Sequence, residues 1–243
     1  MWPTSAEELA AEQERLAGLR PAPWLPGPPA AFGGCFVCFG RGAGGAGSPG
    51  DPGWAASCLL DDRLRPAAAA VVTGGAGGPY RPGLLALREG PLLAEAVAGL
   101  PHPPEVLIVN ATGRDHPRRA GLALHLGAVL GIPTVGVTHR PLRAAGPPPG
   151  PARGATAPLT LGGEVVGMWV RTRPNARPLV AHAAWRTSPE TAAAAVMAAA
   201  AGFRSPEPLR QARRLARRAR SDAGDRAWYP YPEGYRGDTD ASE

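Results

Sequence analysis

The chain has no lysine: all 26 of its basic residues are arginine. That excludes an ε-amine as a Schiff-base former, a tunable base or a compact cation on a reacting phosphate, because a guanidinium does not deprotonate in proteins. Cysteine is scarce as well. Three thiols make no disulfide framework, and Cys35 and Cys38 lack the second close pair that a zinc site needs. They fall in "GGCFVCF", a strand pattern whose positions three apart point to opposite faces, so buried thiols are expected. No apolar run approaches the ~20 residues of a membrane helix. The N-terminus is acidic and amphipathic, without the basic-then-apolar layout of a secretory signal. A cytoplasmic protein with no membrane partner is expected. Abundant instead are glycine (33) and proline (30), which imply long irregular connections.

The excess charge is local. Residues 203–220 carry seven arginines and one glutamate, which accounts for the whole formal net charge of +6. On a helix, Arg210, Arg213, Arg214, Arg217 and Arg218 follow i, i+3, i+4, i+7, i+8, with Leu209, Ala212, Ala216 and Ala219 on another stripe. Such a stripe suits a phosphate backbone. The plainer alternative is a solvated face whose cations complement the helix dipole.

Periodicity gives an order of elements. A helix covers 5–18 and a Pro-rich connection follows. Strands at 35–39, 54–60 and 67–73 read as an antiparallel meander. The pattern then alternates: helix at 83–100 with an interruption at Gly90-Pro91, strand at 105–110, helix at 118–131, strand at 133–139. Residues 141–158 read as a loop or tether. Two more strands fall at 164–173 and 178–184. Ser188 caps a helix that has Pro189 in its first turn, and the arginine helix closes the fold. One α/β domain over 32–220 is expected, preceded by the helix and connection of 1–31 and followed by a polar tail, 221–243. A meander followed by parallel strands alternating with helices is the order of a ribonuclease H-like mixed sheet flanked by helices. Two-metal chemistry in such a sheet sits on the first strand and at the end of the fourth, here Phe36 and Asn110.

Five blocks in order resemble the endonuclease V family, enzymes that nick DNA or RNA near deaminated bases such as inosine. "PYRPGLLALREGP" (79–91) resembles PYIPG…REGP. "LIVNATGRDHPRRAGLALHLG" (107–127) resembles a strand ending in Asp, then HPRR and a GLASHLG-like helix. "IPTVGVTHRPL", "VRTRPNARPLVAHAAWRTSPETA" and "RSPEPLRQA" resemble the segments that follow, and coverage runs from about residue 32 to 213.

The resemblance implies a divalent ion held by an Asp on the first strand and the Asp closing the fourth, with the REGP glutamate nearby. Here Phe36 and Asn110 stand at the two aspartate positions and Glu89 alone is retained. His139 replaces the family lysine and Trp185 its late histidine; Tyr80 and His116 are kept. Mg²⁺ is a hard cation usually held by one or two anionic oxygens, and neither a phenyl ring nor an amide supplies one. A catalytically degenerate relative that binds nucleic acid without cutting it is therefore expected, with no cofactor. Two alternatives stand beside it. An active Mg²⁺-dependent nuclease would need ligands rebuilt from Asp115, His116, Glu89, His139 or His182. A protein-interaction module would work through the aromatic tail "WYPYPEGY" (228–235).

The resemblance also implies a wedge, Pro79-Tyr80-Arg81-Pro82, whose ring would stack on a base and whose arginine would reach phosphate. Gly113 keeps a small residue where the family's base pocket needs close backbone approach, while Ala111 and Thr112 add side chains there.

Overall fold

The computed structural model describes residues 2–25, 27, 31–40 and 47–224; the aromatic tail lies outside them. Its centre is one eight-stranded sheet. Strands β1 (Phe32–Phe39), β2 (Pro52–Leu60) and β3 (Pro66–Gly75) form the expected antiparallel meander. Strands β4 (Val106–Val109) and β5 (Thr134–Thr138) run parallel to β1, which is the expected parallel half. Beyond β5 come β6 (Thr156–Leu161), β7 (Glu164–Val170) and β8 (Leu179–Ala183), in the spatial order β3-β2-β1-β4-β5-β8-β7-β6.

Each face of the sheet carries its own apolar core. Helices α1 (Ala6–Gly18), α2 (Leu85–Ala98) and α3 (Leu122–Leu130) cover one, over Cys35, Val37, Leu107 and Val109. Helices α4 (Pro189–Ala198) and α5 (Glu207–Asp222) cover the other, over Val106, Ile108, Cys58 and Leu60. Strand alternation therefore sends Cys35 to the first face and Phe36 to the second. α1 begins where Ser5 accepts the Glu8 N–H at 3.1 Å, and Leu9 and Leu16 are fully buried in the first core. α5 lies so close to β1 that a Cβ on Gly34 would collide with the Pro208 carbonyl. Only glycine permits that approach.

Four local expectations are corrected. α2 is unbroken through Pro91. The missing Pro91 N–H frees the Leu87 carbonyl, which Gly77 packs against, and the Gly77 N–H donates to the Arg88 carbonyl at 3.1 Å. α3 starts at Leu122 rather than 118, because Arg119 sits at φ 57°, outside the helical region. β6 was not expected; Pro158 is tolerated there because β6 is an edge strand. Nor is 141–158 a free tether: the N–H groups of Leu142, Arg143 and Ala144 all donate to the Asp115 carboxylate. Among the described residues, no helix is long and apolar enough to cross a membrane.

Candidate nucleic-acid interface

The parallel strands β1, β4 and β5 end at one rim of the sheet, where open α/β sheets usually bind ligands. A cleft of about 320 Å³ opens there, lined by Tyr80, Gly83, Leu85, Ala111, His116 and Leu142 among others. Asn110 also lines it, is exposed, and its side chain makes no hydrogen bond to the other described residues. Tyr80 is 48% exposed beside it, on the turn that joins β3 to α2. That turn is held from below. Gln13, buried on α1, donates to the Gly83 carbonyl at 3.2 Å and accepts from Arg118 at 3.2 Å. Gln13 was not among the expected site residues. Its one signal is a polar residue on the apolar stripe of Leu9 and Leu16. Leu142 and Thr138, also missed, come to the cleft only through long-range packing.

Phe36 and Asn110 are neighbours across two strands. The last paired residues of β1 and β4 are Cys35 and Val109, and the next positions are these two. Phe36 packs with Cys58, Leu60 and Ala212 under α5, and the Arg213 guanidinium lies 5.3 Å from its ring centre. Glu89 is half-buried on α2. Burial pushes its carboxyl up to about 8, against the opposing pull of Arg88, so it is largely protonated at neutral pH. Cys35 lies within its electrostatic reach, and the thiol is pushed up mainly by its own burial and then by Glu89.

These donors do not fit a divalent ion. Phe36 offers no ligand atom and Asn110 only a neutral carbonyl, which leaves Glu89 as the single carboxyl of the three. Among the described residues, no three histidines, cysteines or carboxylates are grouped to hold a metal. Nearby acids are engaged elsewhere. Asp51 pairs with Arg88 at 2.9 Å, and Asp115 accepts three backbone N–H bonds.

The "RDHPRR" block (114–119) is a structural knot. Arg114 donates to the carbonyls of Ala17 and Leu19, satisfying the end of α1. His116 Nδ1 accepts the Arg118 N–H at 3.2 Å, which assigns the proton to Nε2, facing the Gly83 carbonyl. Arg118 reaches Gln13, and Arg119 donates to Leu161 on β6 at 2.6 Å. Together these side chains fasten α1, the β3–α2 turn and β6 to the rim.

Other expected site residues fall elsewhere. Trp185 is half-buried at the start of β5, where its backbone pairs with Thr134; β8 is antiparallel to β5, so its end lies away from the rim. His139 is exposed just beyond β5, on the rim side. A Cβ on Gly113 would collide with the Ala183 carbonyl, so packing against β8 requires glycine at this position. The arginine stripe lies on the sheet face opposite the cleft. Arg210 is committed to Glu207 at 2.6 Å and stacks on Phe203. Arg214 and Arg217 are exposed without a hydrogen-bond or ion-pair partner among the described residues. Arg81 and Pro82 are exposed at the mouth of the cleft, and Pro79 is half-buried.

Burial pushes His116, His125 and His182 down to about 4. In each case the folded protein holds a neutral imidazole that charges near 6.5 once unfolded. Stability is therefore full above pH 6.5 and is lost as pH falls towards 4, by up to about 1.4 kcal/mol per pH unit for each histidine. Glu89 works the other way, costing stability as pH rises from 4.5 to about 8. Urea unfolding is expected to show lower stability at pH 5 than at pH 7, and His125→Leu to flatten the slope by one proton. Glu89→Gln is expected to raise the melting temperature at pH 8 and leave it unchanged at pH 4.5. An increment equal at both values would mean that the carboxyl is already ionised in the folded protein.

Residues 46–214 match the family model described as Endonuclease V, a match that begins beyond β1. A Streptomyces avermitilis protein described as Endonuclease V is 37% identical over 226 residues, covering 91% of this chain and 95% of the relative. The crystal structure of an Endonuclease V from the same organism superposes with a TM-score of 0.82 at 35% identity, over 92% of this chain and 96% of that one. The Ciona intestinalis Endonuclease V, crystallised with a 23mer DNA containing an inosine followed by a ribo-adenosine, shares the fold. Its TM-score is 0.72 at 21% identity, over 89% of this chain and 97% of that one.

Proposed function

The chain belongs to the endonuclease V family, and on that footing we propose that it binds nucleic acid at the rim of its sheet without hydrolysing the phosphodiester. What supports this reading is the set of residues at the positions that the resemblance assigns to the metal: a ring, an amide and a single carboxyl, with no metal-ligating group of three among the described residues. In the family chemistry a Mg²⁺ ion would activate water and neutralise charge developing on the phosphate. Without anionic oxygens to grip that ion, the hydrolytic step has no driver.

Binding has its own support. The cleft is at the small end of ligand-site volumes, about 300–1,000 Å³, and suits one extruded base. Tyr80 stands at its mouth, exposed for stacking worth about 1–3 kcal/mol. The Ciona relative holds inosine-containing DNA, and a deaminated purine is the base class we assign to this cleft. Ala111 is buried and Thr112 half-buried, so neither closes it.

The test is incubation with inosine-containing DNA and RNA in Mg²⁺ or Mn²⁺. No nick above the protein-free control is expected, while a mobility shift persists in EDTA and weakens in Tyr80→Ala. A nick that disappears in Glu89→Ala would overturn the proposal.

A further inference from the structure

We propose that the segment following β5, residues 139–144, is a preformed arm that takes the sugar-phosphate backbone of a bound strand through Arg140 and Arg143. This rests on the nucleic-acid-binding reading and adds the surface that holds the backbone.

The arm is fixed in its backbone and open at two guanidinium groups. Thr138 Oγ1, at the end of β5, donates to the Arg140 carbonyl at 2.6 Å. The N–H groups of Leu142, Arg143 and Ala144 donate to the fully buried Asp115 carboxylate at 2.7–2.8 Å. Ala145 then exchanges both backbone hydrogen bonds with Thr160 on β6 at 2.9 Å. A loop fastened in this way leaves only side chains to be ordered on binding, which lowers the entropic cost of a contact. Those of Arg140 and Arg143 are exposed and make no hydrogen bond or ion pair with the other described residues. Asp115 thus positions two arginines without pairing with either.

Their position selects the partner. Between them Leu142, 48% exposed, lines the cleft together with Asn110 and Tyr80. A base held in that cleft carries its phosphates on either side, so cations that flank Leu142 meet the backbone rather than the base edge. The planar guanidinium fork suits two phosphate oxygens at once. Arg81, exposed on the β3–α2 turn, lines the same cleft and is likewise unpaired among the described residues. The sheet order places the arm at the end of β5, with β4 between it and the strand that carries Phe36. Its contact is therefore separate from the substituted centre.

The experiment is fluorescence anisotropy at low salt in excess EDTA, with two labelled single strands, one containing inosine and one with adenine in its place. Arg140→Gln combined with Arg143→Gln is expected to weaken binding to both strands by the same factor, about tenfold or more, and to reduce the salt slope by about one to two. Arg140→Lys combined with Arg143→Lys, which keeps the charge, is expected to retain most of the slope. Arg63→Gln, on the β2–β3 turn at the opposite end of the sheet, is expected to bind as wild type. Circular dichroism checks that each variant is folded. Wild-type affinity and slope in the double glutamine variant would overturn the inference. So would a loss confined to the inosine strand, which would place the arm on the base, or an equal loss in Arg63→Gln, which would reduce the effect to net charge. Failure of the wild-type protein to bind either strand would instead overturn the nucleic-acid-binding reading itself.

Discussion

Replacing Asp115 with alanine is expected to cost about 3–5 kcal/mol of folding stability, among the largest effects of any single change in the chain. The carboxylate is fully buried and accepts the N–H groups of Leu142, Arg143 and Ala144 at 2.7–2.8 Å. Truncation strands three donors that water cannot reach, each worth about 1–3 kcal/mol of lost solvation. The 142–144 segment also delivers Leu142 to the cleft, so nucleic-acid binding should fall with stability. Asp115→Asn, which keeps one carbonyl acceptor, should lose less. Equilibrium urea unfolding measures both. A loss under about 1 kcal/mol accompanied by abolished binding would place Asp115 in contact with the ligand rather than beneath the site.

The second large effect is a gain. Phe36→Asp with Asn110→Asp is expected to bind Mn²⁺ no better than the wild-type chain, whereas adding Arg213→Ala is expected to create a stoichiometric site together with Glu89. The guanidinium explains the difference. A monovalent cation about 5 Å from a divalent ion costs on the order of 6 kcal/mol at an effective dielectric of about 20. In the double variant, Arg213 would pair with one of the two new carboxylates and oppose the charge of an incoming metal. With Arg213 gone, two carboxylates and an incoming ion draw the Glu89 proton off, because metal binding requires the ionised form. Calorimetry on folded variants decides. A tight site in the double variant would mean that Arg213 does not occupy the centre, and silence in the folded triple variant would mean that positions 36, 89 and 110 do not converge.

Much of this was legible in residue order. The switch from period two to period 3.6 after residue 73 announced the change from meander to parallel strands, and Ser188-Pro189 announced α4, whose cap accepts the Thr191 N–H at 3.1 Å. The neighbouring placement of Phe36 and Asn110 also followed, because parallel register brings the middle of β1 to the end of β4. What stayed hidden depends on contacts remote in sequence. "HPRR" reads as a charged cluster, yet its partners are Gln13, Gly83 and Leu161, up to 105 residues away. Pro91 reads as a helix breaker until Gly77 comes against the carbonyl it frees. Gly113 gives no sign in the sequence of the β8 carbonyl packed against it. The arginine stripe is correct as a pattern, but its members divide: Arg210 goes to Glu207, Arg213 to the ring of Phe36, and Arg214 and Arg217 to solvent. Helical periodicity gives a face and says nothing of what that face meets.

Titration of Mg²⁺ and Mn²⁺ into the wild-type protein by calorimetry probes the substituted centre without any assumption about substrate. With Glu89 protonated near neutral pH and a guanidinium over Phe36, no saturable heat is expected through the millimolar range at pH 7. A one-to-one site that vanishes in Glu89→Gln would contradict this and return the chain to the metal-dependent nucleases.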